Sequence, residues 1–431
     1  MQDSLFDTPA PISGGFDRHL EPLTRAAALD QLADFVPRAG RAYARDRNFD
    51  LGPEQRANVS GLSPYLRHRL ITEQEVLAAV LANHSASAAE KFVQEVYWRT
   101  YWKGWLEHRS QHWEAYRSAL GDRFAALNDN ASSMAHYQSA IAGMTGLAPF
   151  DAWAQELVEN NYLHNHARMW FASIWIFTLR LPWELGADYF LKHLLDGDPA
   201  SNTLSWRWVA GLQTRGKNYL ARADNIARYT GDRFPLVTGL NELADALEEP
   251  EPQAPPAPTL ATIDEAELLH RLAEGSAPPP SWIIHEEDLH PESLIGFVES
   301  LTQDRATRVG VVSAAPGRAA YGTASAITAA IGSATADAAD RIRALGASRV
   351  EELAPEALAA WTAEQPGDVL TPYAPTGPVR SLLGELPAVT QVRRRYDAAA
   401  WPFCRKGFFQ LKKRIPELLD ALLSSEPAPE S

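Results

Sequence analysis

A single cysteine, Cys404, stands in 431 residues. That excludes an intramolecular disulfide framework and any metal site built from several cysteines. The twelve histidines include no HExxH spacing, and His164 and His166, two apart, would point to different sides of a helix. Long apolar runs are also missing. The richest, Trp170 to Leu181, is interrupted by Ser173, Thr178 and Arg180, short of the ~18 residues that read as a membrane span. The opening Met1-Gln2-Asp3-Ser4 has no basic region or apolar core, so no secretory signal is expected and the cytoplasm is the expected location. Positive charge is scarce: the net charge is −14. Residues 1–234 carry 24 Lys+Arg against 26 Asp+Glu, and the remainder 16 against 28. Nucleic-acid binding draws on clustered cations, so the acidic second part is expected to repel DNA at long range.

What is present is a globular composition, with 45% hydrophobic and 22% charged residues and a high tally of thirteen tryptophans. Most of these suit the core of a helical protein. Residues 1–20 read as an N-terminal arm. From 21 to 247 the apolar spacing is helical. Residues 248–262 form a linker in which five prolines fall between Glu248 and Pro258, predicting an extended spacer with little packed against it. On that reading residues 1–247 fold alone. In 263–431 short apolar runs at Trp282–His285, Val309–Ser313, Asp368–Thr371 and Val389–Val392, with a weaker one near Val350, alternate with helical stretches. This pattern predicts a Rossmann-like α/β domain with a mostly parallel sheet.

Four segments carry chemistry. Ser60-Gly61-Leu62-Ser63-Pro64-Tyr65-Leu66 is a turn entering a helix, whose hydroxyls and free N–H groups suit a pyrophosphate. In Phe92–Trp102, residues Glu95, Trp98, Arg99 and Trp102 fall on one helical face. Asn165 and Arg168, three apart, share another, with Met169 beside them. In Asp196-Gly197-Asp198-Pro199, Asp198 is placed to cap a helix and Pro199 to begin it; Asn202, Trp206 and Trp208 follow. Each segment alone has a plainer reading: a capping turn, an aromatic core face, a buried ion pair.

Together and in this order, the four closely resemble the FAD-binding core of the cryptochrome/DNA photolyase family. The resemblance implies an all-α FAD-binding domain, here followed by the smaller α/β domain, whereas the family usually places an α/β domain first. The run Trp282–Leu289 is similar to the first strand of that family domain. The implied cofactor is FAD, held by Ser60, Gly61, Leu62, Ser63, Arg99, Asn165, Arg168, Asp196, Asp198 and Asn202. Arg99 is implied at the phosphates, Arg168 with Asp196 over the ring, Asp198 at the ribose or adenine end, and Asn202 facing N5. Trp206 and Trp183 match two members of an electron-carrying chain, with Trp113 or Trp105 as substitutes for a third. Glu95, Trp98, Met169 and Trp208 match the cavity that accepts a lesion in repair enzymes. Val59 and Thr100 depart from the family pattern, as do His166 and the stretch Tyr219–Asn225. His166 and the divergent Tyr219–Asn225 stretch, with the rearranged domain order and the acidic charge, favour a cryptochrome-like blue-light receptor with a signalling protein partner. The alternative is a photolyase that repairs pyrimidine dimers in UV-damaged DNA. No residue pattern identifies an antenna pigment.

Overall fold

The computed structural model describes residues 22–424 apart from 232, 275–277, 303–307 and 348, and the expected arm at 1–20 lies outside them. Up to Tyr229 every regular element is helical, and an α/β unit follows from Ala261. Five helices matter for the site: α1 (Ser63–Arg67), α2 (Ala86–Glu107), α3 (Asn165–Ser173), α4 (Trp183–His193) and α5 (Pro199–Ala210). Their ends are set by sequence. The Ser85 side chain accepts from Ala88 N to start α2. Asp198 accepts from Ser201 N with Pro199 in the first turn of α5, which ends at the left-handed Gly211, so the capping expected of this segment is what forms. Past Ser173, α3 widens into a π-helical turn, Ile174–Thr178; such turns are rare and concentrate at functional sites.

The α/β unit is a six-stranded parallel sheet: β1 (Ala261–Asp264), β2 (Ser281–His285), β3 (Arg308–Val312), β4 (Arg349–Leu353), β5 (Val369–Pro372) and β6 (Val389–Arg393), in the order β1-β6-β5-β2-β3-β4. Five of the six were anticipated. The unforeseen β1 is a four-residue edge strand with mostly exposed side chains, too short and polar to show an apolar run. The central strand β2 has β3 on one side and β5 on the other. That is the switch point beyond whose strand ends ligands bind in doubly wound sheets.

Here that crevice is closed by the helical part. Beyond β2, Glu287 receives both terminal nitrogens of Arg67 at 2.6 Å, and His68 Nδ1 lies 2.7 Å from Glu286 O. Leu289 N donates to His68 O. Arg69 pairs with Asp397 at 2.8 Å and Asp288 at 3.4 Å, and Arg394 holds Asp288 at 2.6 Å. All these charged side chains are buried. One apolar core runs through the boundary, joining Leu62, Leu66 and Val96 to Trp282, Ile331 and Trp401. The proline-rich run is without helix or strand up to Leu260, but it is packed. Glu249 accepts from Trp183 Nε1 at 2.8 Å, Ala257 N donates to Ser110, and Arg380 reaches Pro258 O. The expected unpacked spacer between independent parts therefore gives way to a shared interior.

Candidate functional site

The phosphate-type turn is shaped locally. Gly61 adopts φ 65°, Leu62 N donates to Ser60 Oγ at 3.3 Å, and Gln31 fixes Ser60 O at 2.7 Å. Leu62 is buried, whereas Ser60, Gly61 and Ser63 remain partly exposed. Ser63 hydrogen-bonds Asp196, so the turn meets the Asp196-Gly197-Asp198 loop directly. Arg168 completes this group: Nη2 lies 2.9 Å from Asp196 Oδ2, Nε donates to Leu163 O, and the guanidinium sits 5.2 Å over the Tyr162 ring. Against a large burial cost, Arg168 and Ser63 hold the Asp196 carboxyl below the usual range. Asn165, one turn back, is exposed, and Met169 is half-buried.

The second carboxylate faces a different set of groups. Asp198 lies 3.3 Å from Lys103 Nζ, 3.8 Å from Arg67 and 3.9 Å from Arg99, and these cations keep it ionised despite burial. Lys103 also sits 3.4 Å from Glu287, so Asp198 joins the domain boundary. Arg99 further donates to Leu66 O at 3.0 Å. Asn202 is buried and donates to Ala187 O at 2.8 Å. Two groups escaped the sequence reading here. Lys103 is one turn beyond Arg99, a signal that was available. Arg67 lies in the SPYL turn's own helix, but its partners are 130 and 220 residues away. Four buried polar atoms of the expected set have no hydrogen-bond partner: Arg99 Nε, Asp196 Oδ1, Asp198 Oδ2 and Trp206 Nε1. The first three lie in the group around the partly exposed turn, and a donor and acceptors so placed fit a dinucleotide such as FAD.

The aromatic residues divide. Trp206 packs edge-on against Trp175 at 6.2 Å and Phe190 at 5.1 Å. It can do so only because Gly186 has no side chain: a Cβ there would lie 2.3 Å from Trp206. Trp175 was not anticipated. Trp183 stacks on Tyr116 at 5.6 Å, and Tyr116 lies 5.4 Å from Trp113, while the Trp105 ring faces His112. Of the two substitutes considered for a third chain member, Trp113 is thus the one connected to Trp183 through a ring. Three of the four residues matched to a lesion cavity have partners within the chain. Trp98 stacks on Phe408 at 3.8 Å and 12°, Trp208 on Tyr219 at 5.6 Å and 26°, and Glu95 pairs with Arg47 at 2.6 Å.

Residues 92–231 match the family described as the FAD binding domain of DNA photolyase. A deoxyribodipyrimidine photo-lyase of Agrobacterium fabrum is 34% identical over 187 residues, 43% of this chain and 37% of the relative. One from a Synechococcus species is 32% identical over 204 residues, 46% and 40% of the two chains. Among solved structures, a bacterial class III photolyase from Agrobacterium tumefaciens is 28% identical with TM-score 0.39, covering 48% of this chain and 44% of that one. A Synechocystis cryptochrome is 23% identical with TM-score 0.41, covering 48% and 43%. This chain therefore spans about two fifths of the length of the curated relatives it matches. Its helical part is an FAD-binding domain, which makes the protein a flavoprotein. That helical part resembles the FAD-binding domain of the cryptochrome/DNA photolyase family, and an α/β domain follows it. Among the described residues no helix is long and apolar enough to cross a membrane.

Proposed function

We propose that this protein is a cytoplasmic blue-light receptor of the cryptochrome type, signalling through a protein partner. When bound, FAD supplies the light absorption and the electron-accepting ring. The chain's own part would begin at Trp206, buried in α5, as the residue that would supply an electron and be refilled from neighbouring indoles. Trp175 is its direct ring neighbour, and Trp183, Tyr116 and Trp113 form a second run of rings. Ser60, Gly61, Leu62, Ser63 and Arg99 would hold the phosphates. Asn165, Arg168 and Asp196 would flank the ring, Asn202 would tune it, and Asp198 would fasten the loop to Lys103 and Arg67.

The observation that carries the signalling output is the engagement of Trp98, Trp208 and Glu95 by Phe408, Tyr219 and Arg47. A flipped base would have to displace stacked rings and a paired carboxylate. The second reading, dimer repair in UV-damaged DNA, is favoured by the names of the curated relatives, all photo-lyases among those given above. One experiment addresses both. Holoprotein is irradiated with blue light and a thiol, with and without a dimer-containing oligonucleotide. Loss of oxidised-flavin absorbance that slows strongly in Trp206→Phe, with the dimer unrepaired, is the expected result. Wild-type speed in Trp206→Phe would refute the electron route, and light-dependent repair would make the protein a photolyase. Trp175→Phe and Trp183→Phe then separate the two supply routes.

A further inference from the structure

The segment that covers Trp98 is itself unusual. Between Arg405 and Arg414 the chain carries Arg405, Lys406, Lys412, Lys413 and Arg414 and no acidic residue, although the protein as a whole has a net charge of −14. Two of the five are partly neutralised, Lys412 by Glu90 at 3.7 Å and Arg414 by Glu417 at 2.9 Å. Arg405, Lys406 and Lys413 are exposed and stand in none of the ion pairs formed among the described residues. Between them Phe409 is 73% exposed. A charge run that only solvates a surface has no use for a phenyl ring held in water at its centre.

The segment is also rigidly placed. Phe408 is buried on Trp98, Leu411 and Cys404 are buried beneath, and Arg109 donates to Arg405 O at 2.8 Å. Cys404, Phe408 and Leu411, four and three apart, therefore anchor inward and leave Phe409 and the cations exposed on a segment seated on Trp98. Clustered cations around an exposed ring are what single-stranded nucleic acid requires: phosphates bind the cations and an unpaired base stacks on the ring. The acidic remainder of the chain does not forbid this, because charges beyond ~10 Å are screened at 0.1 M salt.

We propose that Arg405–Arg414 is a nucleic-acid contact, with Arg405, Lys406 and Lys413 on the phosphates and Phe409 against a base of a single strand. This goes beyond the light-receptor reading and reverses the expectation that the second part of the chain repels DNA. The test uses the full-length holoprotein and a fluorescent undamaged single-stranded 20-mer across a salt series. The triple variant Arg405→Ser/Lys406→Ser/Lys413→Ser should bind at least tenfold more weakly at low salt, with a log–log salt slope smaller by about 2, at ~0.7 per phosphate contact. Phe409→Ala should lose roughly fivefold to a hundredfold with the slope unchanged. All four positions are exposed, and unchanged urea unfolding checks that the variants fold. The proposal is overturned if wild type does not bind the strand, if the triple variant binds as wild type does, or if Phe409→Ala has no effect. It is also overturned if wild type binds anionic phosphatidylserine vesicles but not the strand, which would make the segment a membrane contact. Flavin absorbance and photoreduction in the same samples report separately: their failure with DNA binding intact would remove the receptor reading and leave this one standing.

Discussion

Replacing Glu287 by alanine removes the centre of the domain boundary. Arg67 is 2% exposed and Glu287 3%, and their two 2.6 Å bonds are the Arg67 side chain's shortest. In Glu287→Ala, Arg67 retains Gly197 O at 3.1 Å and a distant Asp198 at 3.8 Å, and Lys103 keeps Asp198 alone. A buried cation stripped of its partner costs about 3–5 kcal/mol, and Arg67→Ala, which strands Glu287, should cost a similar amount. The cost lies in stranding a charge more than in losing attraction. The double replacement Arg67→Met/Glu287→Leu should therefore recover most of it, since apolar groups of similar volume often match a buried pair. Urea unfolding followed by tryptophan fluorescence on the four proteins gives the cycle. The Arg67 variants should also retain less flavin, because Arg67 Nε holds the loop bearing Asp196 and Asp198 in place. Single variants within about 1 kcal/mol of wild type would refute the reasoning, as would a double variant no better than the worse single one.

Three other outcomes are expected. Arg168→Ala and Asp196→Ala should purify with little FAD, since each leaves a charge beside the cofactor loop without its 2.9 Å partner; full occupancy in both would reject the assignment. A fragment ending at residue 247 should aggregate or emerge without flavin, because it bares Arg67, Arg69, Lys103 and half of an apolar core; a soluble, yellow fragment would show that the boundary is dispensable. Stability should fall as pH drops from about 6.5 towards 5. Burial holds His68 and His193 down to about 3 and His112 and His164 to about 4, so below the unfolded value the unfolded chain takes up protons that the native state refuses. Burial holds His166 and His285 down as well. Glu286, pushed up to about 7 by burial and by Glu287, works in the opposite sense between about 4.5 and 7, joined by Glu95, Glu114, Glu156, Asp188 and Asp397, which burial also raises. A urea midpoint that rises on acidification would contradict this.

The turn and the cap of the candidate site were legible because their signals are local. A cap such as Asp198, or a turn such as Ser60–Ser63, is specified within a few residues, and the central strands announce themselves as apolar runs. What stayed hidden is non-local or breaks periodicity. Nothing near Arg67 says that its partner lies 220 residues on, and Glu287 reads as an ordinary polar residue after a strand. Trp175 was missed because the π-turn at Ile174–Thr178 shifts its side chain out of the 3.6-residue register on which the helical reading depended. Proline content rightly gave an extended Glu248–Pro258, but composition cannot show that Glu249 would sit under Trp183.

The boundary between the two parts is written in two adjacent triplets, Arg67-His68-Arg69 against Glu286-Glu287-Asp288, matched through Arg67 with Glu287, His68 with Glu286 O and Arg69 with Asp288. Recognition of this kind depends on which triplets face one another, and is indifferent to which of them the ribosome makes first. The connecting chain has only to be long enough. An α/β unit seated in this way takes its place from the residues it faces, and from the connecting segment it takes only reach.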